Sequence, residues 1–162
     1  MTEHEEILSY CDSFTRLPTI LDLAFEMPFQ EWLRLLGEEW TGCDNISHHI
    51  DSLSEHFSFC EYPIRELMDA DEQRVYNNLP DVLTIYRGCY ANNKRGICWS
   101  MDRDVAEKFP FHLRYRQPGQ PLLVKARVRK SDIIAVKLGR NEAEIIAYNA
   151  KIVSTSHAKK RD

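Results

Sequence analysis

The sequence predicts an α+β protein in which a helical amino-terminal region precedes a mixed β-sheet core. Three observations carry that class. Up to about residue 80 the apolar residues recur at intervals of three and four, the period of a helix with one buried face. From residue 82 the pattern changes to short runs rich in branched residues, separated by polar, proline or glycine breaks. Pro80 falls at the change. Helices grouped ahead of strands are the mark of an α+β chain.

In the first half, Ile7, Tyr10, Cys11 and Phe14 share one helical face, and Phe29, Trp32, Leu33, Leu36 and Trp40 share another. Ile46, Ile50, Leu53 and Phe57 repeat the spacing behind Asp44 and Asn45, both able to cap a helix. Pro63 suits a first helical turn ahead of Ile64, Leu67 and Met68, with Val75 and Leu79 on a further turn. These stripes read as core. In the second half, VLTIYRG, PLLVKARV, DIIAVKL, EIIAY and KIVST read as strands, and DRDVAEKF as one interrupting helix with Val105, Ala106 and Phe109 on one side. The expected division is a helical region over 1–80, a sheet core over 81–156 and a frayed tail over 157–162, all within one compact domain.

With 162 residues the chain can bury a core without staples. A net charge of −4 argues against a general nucleic-acid binder, which would show a basic face, although charge can be local. Five cysteines in no framework spacing, an acidic start in MTEHEEILSY and no apolar run near the roughly 18 residues of a membrane span make the reducing cytoplasm the expected compartment. Cys43 with His48 and His49 invites a metal, but no second ligand pair follows at zinc spacing. His49 sits among Ile46, Ile50 and Leu53 at helical spacing, so packing is the expectation and no metal is.

Three stretches can carry chemistry. Arg87 ends the first strand on the same side as Leu83 and Ile85, and Gly88 follows it. Its planar fork suits a phosphate or carboxylate, and an ion pair with one of the many acids would satisfy it equally. In GICWSMDRDVAEKF, Cys98 and Ser100 share a strand face, with Trp99 on the other, and Asp102 can cap the helix that follows. In GRNEAEII, Glu142 and Glu144 stand two apart, so a strand would aim both carboxylates to one side. An exposed edge would tolerate that pair idly; a site where positive charge develops would use it.

Taken in order, IYRG, GICWSMDRDVAEKF and GRNEAEII resemble the R-S-E class of mono-ADP-ribosyltransferases. The middle stretch is similar to the S-W-[ST]-x-D form of its small phage and bacterial branch. The resemblance covers about residues 82 to 153. It implies that NAD is the co-substrate and a protein the partner, with no membrane involved. Arg87 would hold the NAD phosphates or adjoining ribose, and the Gly88 backbone would bond the nicotinamide carboxamide. Cys98 and Ser100, on the serine-led strand, would buttress the nicotinamide ribose. Glu144 would bind the ribose 2′-hydroxyl and stabilise the oxocarbenium-like charge, while Glu142 would orient or deprotonate the acceptor, with arginine favoured as target. Phe111 would stack on nicotinamide from a loop over NAD, Arg114 or Arg116 would touch phosphate, and the KLGRN loop, tipped by Arg140 and Asn141, would face the target. The helical region would serve target recognition or support the sheet. Cys98 stands where the family has serine, and a thiol is the poorer donor, so Ser100 is expected to take that role. The resemblance thus implies transfer of ADP-ribose with release of nicotinamide. Loss of NAD chemistry, leaving a protein-binding inhibitor, and NAD glycohydrolysis are the alternatives.

Overall fold

The computed structural model describes residues 1–161. Helix α1, Glu3–Ser9, opens on a capping box in which the Thr2 hydroxyl accepts from the Glu5 amide and the Glu5 carboxylate accepts from the Thr2 amide. The expected stripe from Ile7 to Phe14 does not form. The Asp12 carboxylate accepts hydrogen bonds from the amides of Phe14 and Thr15 at 2.9 and 2.8 Å, and this local turn interrupts the helix. Tyr10 and Phe14 are exposed as a result, and Leu8 is the buried residue of α1. A second helix that the stripe count missed, α2 at Arg16–Leu23, buries Leu17, Ile20, Leu21 and Leu23.

Helix α3, Phe29–Glu39, follows the expected stripe and buries Trp32, Leu33 and Leu36, with the Trp32 indole donating to the Ile20 carbonyl at 2.6 Å. A single turn at Ile46–His49 precedes α4, Ile50–Phe57, which buries Leu53 and Phe57. Neither Asp44 nor Asn45 caps it: Asn45 is left-handed at φ 63°, and Asp44 turns to other partners. The expected helical start at Pro63 is also displaced. Residues Arg65–Leu67 make one tight turn, and α5, Ala70–Asn77, begins behind the capping box of Asp69 and Glu72.

Six strands follow: β1 Val82–Cys89, β2 Cys98–Ser100, β3 Leu122–Arg129, β4 Ile133–Lys137, β5 Glu144–Ala147 and β6 Lys151–His157, with helix α6, Arg103–Lys108, between β2 and β3. They form one sheet in the order β4-β5-β2-β1-β3-β6, and every neighbouring pair is antiparallel rather than mixed. No crossover connection joins neighbouring strands in the parallel sense; α6 leads from β2 to β3, which are separated by β1.

A single core spans both halves, with Leu17, Trp32, Leu36, Leu53 and Phe57 packed with Ile85, Val124, Ile134 and Ile146. A smaller cluster of Ala106, Leu123 and Ala158, with Tyr86 and Phe111 against it, seats α6. Leu123 and Val124 are consecutive in β3, so the two clusters lie on opposite faces of that strand. The tail is docked as far as it is described: Ala158 is buried and Arg161 pairs with Glu107 at 3.0 Å. Strand β4 is joined to the helices by Lys137. Its buried ammonium donates to the carbonyls of Gly37 and Leu67 at 2.9 and 2.7 Å and to the Glu72 carboxylate at 2.9 Å. The other Glu72 oxygen accepts from the Leu138 amide at 2.7 Å.

Candidate active site

The three sequence stretches meet on three adjacent strands. Tyr86 of β1 lies opposite Ser100 of β2, which lies opposite Glu144 of β5, and Arg87 is the next residue after Tyr86. Residues 87, 100 and 144 therefore come together at the middle of the sheet. Arg87, Gly88, Cys98, Glu142 and Glu144 all line one cleft of about 200 Å³ that opens to solvent. A smaller hollow beside it reaches Tyr86 and Ser100.

Arg87 has no carboxylate partner among the described residues, so the ion-pair alternative is not the one the fold adopts. Its guanidinium donates instead to the carbonyls of Cys98 at 2.8 Å and Asn93 at 2.9 Å, and its Nε is buried without a partner. Two neutral carbonyls orient the fork and leave its charge uncompensated, which suits an anion in the cleft. Gly96 makes the fork possible, because a Cβ there would overlap the guanidinium carbon. Gly88 serves a different close approach: a Cβ at that position would overlap the Ala106 carbonyl oxygen, so the missing side chain lets α6 pack against β1.

Ser100 is buried, and its hydroxyl donates to the Glu142 carbonyl at 2.6 Å while accepting from the Asp102 amide at 3.0 Å. The Met101 amide adds a bond to the Ala143 carbonyl at 3.0 Å. Ser100 thus holds the backbone that carries the two acids. Asp102 caps α6 as expected, accepting from the amides of Asp104 and Val105 at 2.9 and 3.3 Å. Burial, followed by the nearby Glu144 carboxylate, pushes the Cys98 thiol well above its usual range, so it stays protonated.

The two acids do not share a strand face. Strand β5 begins at Glu144; Glu142 sits in a tight turn before it, where Arg140, Asn141 and Ala143 take φ of 59°, 53° and 45°. Both side chains nonetheless reach the cleft. Burial raises the Glu144 carboxyl above the ordinary value, against hydrogen bonds from the Cys98 thiol and the Trp40 indole, the latter at 3.1 Å. Burial also raises Glu142, against the cations of Arg140 and Arg114. Two acids held in one partly dry hollow, Glu144 beside hydrogen-bond donors and Glu142 beside arginines, are suited to different roles in a reaction that develops positive charge.

The helical half supplies a wall of the cleft, a part that its stripes did not reveal. Trp40 touches Glu144, and buried Asp44 gathers the opposite rim by accepting from the Tyr115 hydroxyl at 2.9 Å and facing Arg114 and Arg140 at 3.6 and 3.9 Å. Burial and the Asp44 carboxylate push the Tyr115 phenol up to about 12. Arg114 and Arg116 line the cleft; Phe111 does not, packing instead on Ala106 and Leu123. The aromatic wall is Phe109, expected as core, stacked on Tyr115 with ring centres 4.2 Å apart. The Ser154–Ser156 stretch lies on exposed β6, away from these groups.

All five cysteines are free, and Cys43, buried in the cleft wall, has its thiol pushed up to about 12 by burial first. Among the described residues no cluster of three or more His, Cys, Asp or Glu is placed to hold a metal, and no helix is long and apolar enough to cross a membrane. Comparison with protein-family models, with curated proteins and with solved structures finds no match.

Proposed function

We propose that the chain is a mono-ADP-ribosyltransferase that moves ADP-ribose from NAD to a side chain of a protein, arginine being the favoured acceptor. The observation that carries this reading is the convergence of Arg87 with Glu142 and Glu144 on one cleft from segments distant in sequence. Arg87 offers a charge with no carboxylate to neutralise it, in a cleft that opens to solvent. Glu144, beside two hydrogen-bond donors, would stabilise the sugar cation as the bond to nicotinamide breaks. Glu142, in a turn at the mouth with a raised carboxyl, would take the proton of the attacking nitrogen as its bond to the ribose forms. Ser100 would act through the backbone of Glu142 rather than on the ribose. Incubation with NAD labelled in its adenylate and a bacterial lysate, beside Glu144→Gln, tests the proposal: labelled protein with the parent chain and none with the variant is the expected result.

A second reading, a fold of this kind that binds without transferring, is favoured by one observation. Glu144 is already engaged by Trp40 and by Cys98, where the family's serine would stand. A thermal melt with and without NAD separates the two, because a bound ligand raises stability by mass action and a site unable to bind it gives no shift.

A further inference from the structure

The net charge of −4 averages two unlike halves: residues 1–80 carry 17 acidic and four basic side chains, residues 81–162 eight acidic and 17 basic. Much of the surplus is ordered on one surface. In β3, Lys125, Arg127 and Arg129 alternate with buried residues, so the three cations project from one face at steps of about 6.8 Å. The register extends that face to both neighbours. Lys125 lies between Tyr86 of β1 and Ser154 of β6; Arg127 lies between Thr84 of β1 and Lys151 of β6. Arg129 has Asp132 at 3.9 Å, whereas Lys125, Arg127 and Lys151 have no carboxylate within ion-pair distance among the described residues.

We propose that the outer face of β1, β3 and β6 binds single-stranded nucleic acid through Lys125, Arg127, Arg129 and Lys151. A regular row of cations, with only Arg129 near a carboxylate and with the hydroxyls of Thr84 and Ser154 beside it, matches a run of phosphates. Half-buried Tyr86 sits beside Lys125 at one end of the row, packed against Ala106 and Leu123 where α6 lies on this face. Beyond α6 this face is exposed at Lys125, Arg127 and Arg129, which suits a flexible strand, whereas a duplex is read by an element that enters its groove. Tyr86 also lines the hollow that reaches Ser100, Glu142 and Glu144, so a bound strand would run toward the candidate active site. The inference goes beyond the transfer reaction and does not rest on it.

The test is fluorescence anisotropy with labelled single-stranded RNA and DNA of about 20 nucleotides, run over a range of salt. Duplex DNA, polyglutamate and phosphatidylserine vesicles serve as competitors. Expected are binding to a single strand at low salt, a slope of log K against log salt of about −2 to −3 from three to four phosphate contacts, and a tenfold or greater loss of affinity in Lys125→Glu/Arg127→Glu. Arg34→Glu, on the acidic half, is expected to bind as the parent does. Circular dichroism confirms that the variants are folded, and Lys125→Ala/Arg127→Ala repeats the comparison with a milder change. No binding at low salt, binding indifferent to the double substitutions, or tighter binding of duplex, polyglutamate or vesicles would overturn the proposal.

Discussion

The indole of Trp40 donates a hydrogen bond to the carboxylate of Glu144 at 3.1 Å, joining the helical half to the candidate catalytic acid. Trp40 is buried at the end of α3, so packing between α3 and the sheet sets the position of that donor. The helical half therefore acts on the electrostatics of the cleft as well as supporting the sheet.

Trp40→Phe keeps most of the buried ring and removes the donor. That bond lowers the Glu144 pKa against burial, so its loss raises the pKa and reduces the ionised fraction at a given pH. The acid limb of the pH–rate profile for nicotinamide release is expected to move to higher pH. The rate near neutrality should fall about tenfold or more, the scale of a hydrogen bond to a charged group.

Cys98 touches the same carboxylate and gives a second, opposite handle. Cys98→Ser places a stronger donor there and is expected to move the acid limb down with an equal or faster rate; Cys98→Ala should move it up. Profiles that coincide for both variants would remove Cys98 from the site's electrostatics.

The raised carboxyls of Glu142 and Glu144 set the sign of a stability effect. Between the unfolded and folded pKa values the folded chain binds more protons, so stability falls as pH rises through that window. Glu144→Gln removes the charge from its half-buried place and is expected to melt higher than the parent near neutral pH. The gain should vanish below the ordinary carboxylate range, where Glu144 is protonated in both states. Thermal melts across pH check it.

Gly88 and Gly96 separate folding from binding. A Cβ at Gly96 meets the end of the Arg87 side chain, whereas one at Gly88 meets the backbone of α6. Gly96→Ala is expected to displace the guanidinium, leaving a folded protein with little or no NAD-dependent rise in melting temperature. Gly88→Ala is expected to lower stability itself, since helix and strand must part.

The buried pair of Lys137 and Glu72 ties β4 to α3 and α5. Glu72→Ala leaves an ammonium in the core with two carbonyls and no counter-charge, and is expected to cost about 3–5 kcal/mol in denaturant unfolding. Replacing both residues by apolar ones of similar volume should cost much less.

Five of the strands were legible as short branched runs bounded by polar or turn residues, with Arg87 and Glu144 lying in them, whereas Cys98–Ser100 has no branched residue and was read from the stretch ahead of Asp102. Their convergence followed from motif order alone. Other features depend on contacts that periodicity does not encode. Asp12 breaks the first stripe by a local turn, hiding α2. Glu142 leaves the strand through left-handed Arg140, Asn141 and Ala143, none of them a glycine that would announce the turn. Phe109 and Phe111 exchange their expected places, Phe109 taking the cleft wall and Phe111 packing under the loop. Trp40 and Asp44 come to the cleft from far away in sequence, and their spacing signals only core and cap.

The most direct measurement is the amount of free nicotinamide released from NAD by the purified chain, quantified by chromatography, beside Glu144→Gln and Arg87→Ala. Release by the parent, reduced on the order of 100-fold or more in Glu144→Gln and lost with NAD binding in Arg87→Ala, is the expected result. No release by the parent, or release that Glu144→Gln leaves unchanged, would contradict the assignment of the cleft as a transferase site.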